Sequence, residues 1–387
     1  MTALIDIIYN MTQVCPHDCE GCCVDAAHVT RRGNIAEMRT KSLTHEEFIP
    51  IEDRSVSVFD IASRALQKSG REMTYDQKMQ VIQNLDIAGV RLDISGGDPL
   101  CVTENIDVLR KATEKLGRDN VTLTATGTGM AGVDLDELVQ LVGEFNFTYD
   151  SASNDDVSGR PQTYASRNLY VGRALKKLGA KTRAEFPIMR STSMSEHVER
   201  LYMNLHDAGI DKLLLMRLFA VGRGKQLEHE TLTPDEYRTV IKQLRDLERQ
   251  HGFPKLKLQC ALRHIEPAPA GAAKSTVNPC DLVRESFGLT SRGILLSSPW
   301  AIDKHGEPMD DIFVLGNLAT TKLSEILASD RVSEIRARSD QNFGHCKIFA
   351  YQQSRLSAPL DRLFDTADPL YANVEQNKDA GTIFAAE

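Results

Sequence analysis

Four of the eight cysteines in this 387-residue chain fall within nine positions near the N-terminus: Cys15, Cys19, Cys22 and Cys23. Three thiolates spaced as Cys15-x3-Cys19-x2-Cys22 on a short loop can bind three irons of a [4Fe–4S] cluster and leave the fourth iron open. Zinc is the alternative, because it usually takes four closed ligands, and Cys23 or one of the nearby histidines could complete that set. The spacing alone leaves both kinds of metal site open.

The segment Ser95-Gly96-Gly97-Asp98-Pro99 follows directly after a predicted strand over residues 90–94. Glycine lets a backbone come close to a ligand, and binding sites in α/β barrels are built at the carboxyl ends of strands. The Asp98 carboxylate could pair there with an ammonium group. Such a segment alone is usually only a turn. Beside a cysteine loop at a matching strand end, it indicates a ligand site.

Strand-like and helix-like segments alternate along the first part of the chain. The apolar, strand-like segments lie at 4–9, 90–94, 121–126, 145–149, 184–189 and 212–221. Helices are predicted between them, and the one that begins after Thr74 has Gln77 at the position that completes a capping box. Six strand–helix steps predict an α/β fold with parallel strands and right-handed crossovers.

This alternation stops after Gly222-Arg223-Gly224, which predicts a first domain over residues 1–225. Its polar, weakly patterned insert at about 25–71 is expected to cover the cysteine loop or shape the substrate entrance, or else to be a solvated excursion. Frequent Pro and Gly predict a smaller, loop-rich second domain over 226–350. Residues 351–387 are predicted to be a tail of helix plus disorder.

Composition excludes several classes of protein. Lys and Arg total 46 against 54 Asp and Glu, a net charge of −8, so binding to nucleic acid is not expected. No apolar run approaches the ~20 residues of a membrane span, and the first residues lack the features of a signal peptide. Clustered cysteines favour metal or redox chemistry over disulfides here. A cytoplasmic location is therefore expected.

These features together resemble the radical S-adenosylmethionine (radical SAM) family over about residues 4–224. The resemblance is carried by Cys15-Pro-His-Asp-Cys19-Glu-Gly-Cys22, by Gly96-Gly97-Asp98-Pro99 and by the six strand–helix steps. It implies a partial (β/α)6 TIM-type barrel. Two positions depart from the family pattern: an aromatic residue is usual where Gly21 stands, and Glu is commoner at the position of Asp98.

The resemblance also implies cofactors and a chemistry. Cys15, Cys19 and Cys22 would hold the [4Fe–4S] cluster, whose open iron chelates the amino and carboxylate groups of S-adenosylmethionine (SAM). One electron then cleaves SAM to methionine and a 5′-deoxyadenosyl radical, which takes a hydrogen atom from the substrate. The implied electron donor is a flavodoxin- or ferredoxin-like protein.

Further SAM contacts are implied at the strand ends. The implied SAM-binding residues are Gly96, Gly97, Asp98, Pro99, Thr126, Thr148 and Arg160. Thr148 would contact the ribose and Arg160 the carboxylate, since a guanidinium binds carboxylates bidentately. Cys101 could return a hydrogen atom to a substrate radical, or could pack in the core. Three charged residues on or beside the predicted strands could face the substrate or be structural: Asp150, Glu185 and Arg217.

The last third resembles, more loosely, the SPASM or twitch extension of radical SAM enzymes, which binds auxiliary iron–sulfur clusters. Ser298 stands where one of the extension's cysteines would be, and others are missing, so two full clusters cannot be held. One auxiliary cluster could be held by the three cysteines of this region: Cys260, Cys280 and Cys346. Its fourth ligand would come from His345, Cys23, solvent or substrate. Three buried free thiols are the alternative.

Two classes of function follow. The first is an enzyme that uses the radical to oxidise, epimerise or join parts of a ribosomally made peptide or a small natural product such as an aminosugar. Only 14 residues precede Cys15, where many peptide-modifying relatives carry a leader-binding domain, which lowers the expectation of a peptide. The second class is a non-enzymatic metal scaffold or iron–sulfur redox sensor. The departures at Gly21 and Asp98 also leave open a radical SAM fold that has lost SAM cleavage.

Overall fold

The computed structural model describes residues 4–40, 45–152, 158–263, 265, 278 and 280–371. The strands are β1 Ile5–Thr12, β2 Val14–Cys15, β3 Ala27–Arg32, β4 Ile35–Thr40, β5 His45–Pro50, β6 Val90–Gly96, β7 Val121–Thr124, β8 Glu144–Thr148, β9 Lys181–Ile188, β10 Lys212–Arg217, β11 Lys255–Leu258, β12 Ser286–Leu289, β13 Ile294–Leu296 and β14 Val314–Asn317. The α-helices are α1 Val58–Lys68, α2 Tyr75–Asn84, α3 Asn105–Leu116, α4 Gly127–Met130, α5 Leu135–Leu141, α6 Tyr164–Lys177, α7 Ser195–Ala208, α8 Pro234–His251, α9 Leu323–Leu327, α10 Asp330–Ala337, α11 Lys347–Gln353 and α12 Pro359–Leu363. No helix within the described ranges is long and apolar enough to cross a membrane.

Ten of these strands form one sheet in the order β11-β10-β9-β8-β7-β6-β1-β12-β13-β14. The strands β1 and β6 to β10 are parallel neighbours, with Ile7 opposite Leu92 and Leu214 opposite Glu185. The predicted α/β fold with six parallel strand–helix steps is therefore confirmed. Because these strands run in one direction, the loops that follow them lie at one edge of the sheet.

The two faces of β1 differ in chemistry. Ile7 and Tyr9 are fully buried in the core. Asp6, Ile8 and Asn10 lie on the opposite face and line a cavity. Side chains alternate across a strand with a period of two, so the same strand supplies core residues on one face and cavity residues on the other.

Local sequence signals set the start of α2. The Thr74 hydroxyl accepts the N–H of Gln77 (3.4 Å), and the Gln77 side chain accepts the N–H of Thr74 (2.9 Å). The predicted capping box is therefore confirmed. It satisfies two of the N–H groups that the first turn of a helix leaves without partners.

β10 ends at Arg217, earlier than the predicted end at Val221. The reason is a turn, since Val221 donates its N–H to the carbonyl of Phe219 (2.9 Å) instead of to a neighbouring strand. Gly222 follows with a φ of +55°, and its backbone lies directly against that of Cys23. The chain thus leaves the sheet at this point and contacts the cysteine loop.

The predicted insert contains most of a second sheet, in the order β2-β3-β4-β5. β3 and β4 pair antiparallel, with Val29 opposite Met38, and Ala62 and Leu66 of α1 pack on this sheet. β2 ends at Cys15, so the first predicted cluster ligand belongs to the same sheet. The insert is therefore a packed unit joined to the cysteine loop, and its part in shaping a substrate entrance stays a prediction.

The residues beyond 226 extend the large sheet at both ends. β11 pairs with β10, and β12 pairs with β1, placing Ser286 opposite Asp6. The chain then returns to this region, where the Tyr371 hydroxyl donates to the carbonyl of Ala261 (2.9 Å). The predicted domain boundary at 225 stays a prediction. Of the predicted tail, residues 372–387 lie outside the described residues.

Candidate functional site

A cavity of about 380 Å³ runs along the inner face of the parallel strands. The sequence-predicted residues that line it are Cys15, Cys19, Cys22, Cys23, Gly96, Gly97, Thr126, Thr148, Arg160, Glu185 and Cys260. Three other predicted residues, Asp98, Pro99 and Cys101, are not among the lining residues. The structure therefore brings the cysteine loop, the glycine turn and the side chains of Thr126, Thr148 and Arg160 to one space.

The three predicted cluster ligands follow one another around this space. Cys15 and Cys19 are buried, Cys22 is half-buried, and the Cys22 Sγ accepts the N–H of Ala26 (3.3 Å). Burial raises the pKa of the Cys15 and Cys19 thiols. Within the described ranges, no three His, Cys, Asp or Glu side chains form a group that could hold a single metal ion. Three thiols around one cavity are the donor set of a [4Fe–4S] cluster with an open iron.

Arg223 holds the cysteine loop in place although it lies far from that loop in the sequence. Its backbone N–H donates to the carbonyl of Cys22 (2.9 Å), and its side-chain Nη1 donates to the carbonyl of Ala26 (3.2 Å). The same Nη1 lies 3.6 Å from carboxylate oxygens of both Asp18 and Asp25. Sequence reasoning misses this role, because only the position of Arg223 between two glycines distinguishes it.

A fully buried ion pair anchors the backbone that leads into Cys15. The side chains of Glu72 and Lys78 are 0% exposed, with Oε1 and Nζ 2.8 Å apart. The other Glu72 oxygen accepts the Thr12 hydroxyl (2.8 Å) and the Gln13 N–H (3.1 Å). Burying charges is tolerated only when they are paired and hydrogen-bonded, as these are. The pair therefore connects α2 to the end of β1, directly before the cysteine loop.

Gly96 and Gly97 make room for the backbone of the cysteine strand. A Cβ at Gly97 would collide with the carbonyl of Val14, and one at Gly96 with that of Thr12. The N–H groups of Gly97 and Asp98 donate to those two carbonyls, each at 2.8 Å. The turn thus determines where the cysteine loop begins. Its contacts with SAM stay a prediction.

The Thr126 hydroxyl donates a hydrogen bond to the Asp98 carboxylate. The Asp98 carboxylate is 0% exposed and also accepts the N–H groups of Leu100 (3.2 Å) and Gly129 (3.1 Å). Burial raises the pKa of Asp98 to about 6, although these hydrogen bonds lower it. An ammonium partner for Asp98 would have to compete with three donors already in place, so that pairing stays a prediction.

Cys101 lies beside Asp98 rather than at the cavity wall. It ends the short 3-10 helix Pro99–Cys101 and is half-buried. Burial raises the pKa of its thiol, and the neighbouring Asp98 raises it further. Its role as a hydrogen-atom donor stays a prediction.

Arg160 faces the cavity while bound to a buried carboxylate. Its Nε and Nη2 donate to the same oxygen of Asp150, at 2.9 and 2.8 Å. Asp150 is 0% exposed, and its other oxygen has no hydrogen-bond partner among the described residues. The guanidinium also lies 5.2 Å from the centre of the Tyr164 ring. Asp150 thus holds Arg160 at the cavity wall and occupies only part of the hydrogen-bonding capacity of its guanidinium.

Arg217, a sequence candidate for substrate contact, does not line the cavity. It is 2% exposed and binds both oxygens of Asp368, at 2.8 and 3.0 Å. Its guanidinium stacks on the Phe349 ring at 3.4 Å from the ring centre. Asp368 also accepts the N–H of Cys346 (3.1 Å). Arg217 therefore connects the end of β10 to the C-terminal segment.

A network of charged side chains lines the part of the cavity formed by β6, β8 and β9. Arg183 lies 3.1 Å from Glu185, 3.4 Å from Glu144 and 3.8 Å from Asp93, and Lys212 pairs with Glu144. Of this network, the sequence indicates only Glu185 as a candidate for substrate contact. The signal that sequence reasoning missed is a charged residue at alternate positions of an otherwise apolar strand, such as Asp93 in β6.

Cys260, Cys280 and Cys346 come together around a second, smaller cavity. Ser298, which stands in place of a cysteine of the extension, lines it as well. Cys23 lines the first cavity instead. The two cavities share five wall residues: Cys260, Asp281, Ser286, Pro299 and Trp300. The structure thus brings the three predicted auxiliary ligands together, and a second cluster there stays a prediction.

Comparisons with known proteins agree with this geometry. Residues 8–169 match the family described as a 4Fe-4S single cluster domain. No curated protein sequence matches the chain. SuiB of Streptococcus suis bound to S-adenosylmethionine is similar in structure with a TM-score of 0.60 at 12% identity, over 100% of this chain and 77% of SuiB. SuiB bound to the precursor peptide SuiA gives 0.59 at 12% identity, over 100% and 76%. The protein anSMEcpe with bound AdoMet and Cp18Cys peptide gives a TM-score of 0.56 at 13% identity, over 97% of this chain and 98% of anSMEcpe.

The chain therefore has the fold of SuiB and anSMEcpe, and its residues 8–169 are similar to the 4Fe-4S single cluster domain family. The resemblance found in the cysteine spacing and the strand–helix steps is confirmed at this level. Both SuiB and anSMEcpe are known with bound S-adenosylmethionine.

Proposed function

We propose that the protein is a radical SAM enzyme that abstracts a hydrogen atom from a peptide or a small natural product. One observation carries this proposal: the thiols of Cys15, Cys19 and Cys22 line the same cavity as Thr148 and Arg160. When bound there, the cluster and SAM supply the 5′-deoxyadenosyl radical. The protein contributes positioning and exclusion of water.

The chain's own residues have distinct tasks in this proposal. Arg223 and the Glu72–Lys78 pair hold the cysteine loop in place. Arg160 offers its guanidinium to a carboxylate, with Asp150 as the residue that keeps it oriented. Thr148 lies at the end of β8, where its hydroxyl can meet a ribose.

The similar structures support a peptide as the substrate. SuiB is known in complex with a precursor peptide, and anSMEcpe with the Cp18Cys peptide. A small natural product such as an aminosugar is the second candidate. The electron would come from a flavodoxin- or ferredoxin-like protein in the cytoplasm.

We also propose one auxiliary iron–sulfur cluster at the second cavity. Cys260, Cys280 and Cys346 would be its ligands, and the shared wall would place it beside the substrate. An iron–sulfur cluster in that position could accept an electron from a substrate radical.

The test is iron content and reductive SAM cleavage after anaerobic reconstitution, with dithionite as the electron source. Wild type is compared with Cys15→Ala/Cys19→Ala/Cys22→Ala. We expect 5′-deoxyadenosine from wild type and none from the triple variant. About four irons left in the triple variant would support the auxiliary cluster. Zinc in wild type, or iron without SAM cleavage, would overturn the proposal in favour of a scaffold or redox sensor.

A further inference from the structure

The charged network of the cavity, defined as Asp93, Glu144, Arg183, Glu185 and Lys212, has more negative than positive charge. Its three carboxylates contact two cations, because Arg183 is shared among all three and Lys212 serves Glu144. One negative charge is therefore left over. Other ion pairs of the described residues at this cavity have one carboxylate for one cation: Asp6 with Arg91, Asp150 with Arg160, and Asp281 with Arg263.

The excess lies between Asp93 and Glu185. Arg183 is 3.8 Å from Asp93 and 3.1 Å from Glu185, whereas Glu144 has Lys212 as well. Burial and the nearby Glu185 carboxylate together raise the pKa of Asp93 to about 6, although Arg183 lowers it. The two carboxylates are thus close enough to repel each other, with one guanidinium between them.

A separate observation at the same place also points to a missing donor. Asn146 is 0% exposed, and its Nδ2 donates to Asp93 (3.2 Å) and to Thr124 (3.2 Å). Its carbonyl oxygen Oδ1 has no hydrogen-bond partner among the described residues. A buried acceptor without a donor costs free energy. Asn146 shares the inner face of β8 with Glu144 and Thr148, which line the cavity.

We propose that Asp93, Glu185 and Asn146 bind a positively charged nitrogen group of the substrate, an ammonium or a guanidinium. Such a group carries the charge that the network lacks and the N–H donors that Asn146 Oδ1 and the carboxylates can accept. Glu185 lines the same cavity as Cys22 and Cys23, so the subsite shares its space with the cysteine loop. The inference rests on the proposed function, since it names the substrate class of that cavity.

This chemistry has two sources, a basic side chain of a peptide and the amino group of an aminosugar. Matched probe pairs separate them: acetyl-Gly-Lys-Gly-amide against its norleucine analogue, and glucosamine against N-acetylglucosamine. Binding is measured by calorimetry on the unreduced, reconstituted protein, with and without saturating SAM. We expect the charged member of one pair to bind about 10- to 100-fold more tightly in the presence of SAM, as charge-assisted hydrogen bonds allow.

Glu185→Gln and Asp93→Asn should each reduce this preference about tenfold, because each removes one charge-assisted contact. SAM binding is measured on the same samples and should change little, which separates a lost subsite from a lost fold. Glu114→Gln, at a carboxylate that is 70% exposed on α3, is the matched control and should leave the preference intact.

Three results would overturn the inference. The first is equal binding, or no binding, of the charged and neutral probes. The second is a preference for the charged probe that disappears when SAM is present. The third is a preference for the charged probe that survives in both Glu185→Gln and Asp93→Asn. SAM cleavage by a protein without charge preference would leave the proposed function standing. A charge preference without SAM cleavage would leave only the subsite.

Discussion

At the scale of a single residue, burial determines the pH at which the Asp98 carboxyl group loses its proton. The folded state raises its pKa from an ordinary value of about 3.9 to about 6, chiefly through burial. Folded protein therefore keeps a proton on Asp98 at pH values where the unfolded chain has released it. The stabilising effect is complete below pH 4 or so and is lost as the pH rises to about 6.

We predict that the proton on Asp98 contributes about 3 kcal/mol to the free energy of unfolding at about pH 4. This contribution should be lost as the pH rises to about 6.5. Asp98→Asn removes the titration and should make the pH dependence shallower by that amount. Urea unfolding at several pH values measures it. Asp107→Asn, a half-exposed carboxylate on α3, is the control that should leave the slope unchanged. Equal slopes for wild type and Asp98→Asn would contradict the prediction.

At the scale of elements, a close backbone contact joins the turn after β6 to the strand that carries Cys15. We predict that Gly97→Ala destabilises the fold by about 1–3 kcal/mol, the usual cost of overpacking. The added Cβ would collide with the Val14 carbonyl, so β2 must move away and take Cys15 with it. Thermal unfolding and iron content after reconstitution should both decrease.

Gly132→Ala is the matched control for this prediction. Gly132 is exposed, and the nearest atom to a Cβ there, the carbonyl oxygen of Gly129, is 3.4 Å away. We expect near-wild-type stability and iron content. If Gly97→Ala also behaves like wild type, the turn does not position the cysteine loop.

At the scale of the whole molecule, the buried contact between Arg217 and Asp368 joins the parallel sheet to the C-terminal segment. Asp368→Ala would leave the Arg217 charge without its carboxylate, and breaking a buried pair in this way costs about 3–5 kcal/mol. We therefore predict a lower melting temperature and faster proteolysis near residues 359–371. The N–H of Cys346 also loses its acceptor, so any auxiliary iron should be lost more readily.

Asp361→Ala serves as the comparison variant. Its carboxylate is 54% exposed and pairs with Arg338 at 2.9 Å, a surface contact worth about 0–1 kcal/mol. Similar stability losses in Asp361→Ala and Asp368→Ala would mean that the buried pair does not connect the two parts.

The features predicted from the sequence are those set by neighbouring residues. The capping box needs only Thr74 and Gln77, and the cluster motif spans Cys15 to Cys22. The strand–helix steps follow from local patterns in the same way. The sequence places the end of β10 too late, because residues 218–221 are apolar and buried without being paired in the sheet.

The missed features depend on partners far apart in the chain. Glu72 meets Thr12 across 60 residues, and Arg217 meets Asp368 across 151. The pattern of the insert is weak, because only Ala27 and Val29 of the six β3 residues are buried and the last three are exposed. Long-range charge pairing of this kind leaves no periodic signal in a single sequence.

The place of β12 beside β1 has a consequence for how the chain is made. Asp6 leaves the ribosome about 280 residues before its sheet partner Ser286. At a synthesis rate of roughly 5–20 residues per second, one edge of β1 therefore stays unpaired for about 15 to 55 s. During that time the strand that leads to the cysteine loop presents an unpaired edge, the feature most prone to association with other chains. The N-terminal cysteines therefore gain their final surroundings only when the last third of the chain has been synthesised.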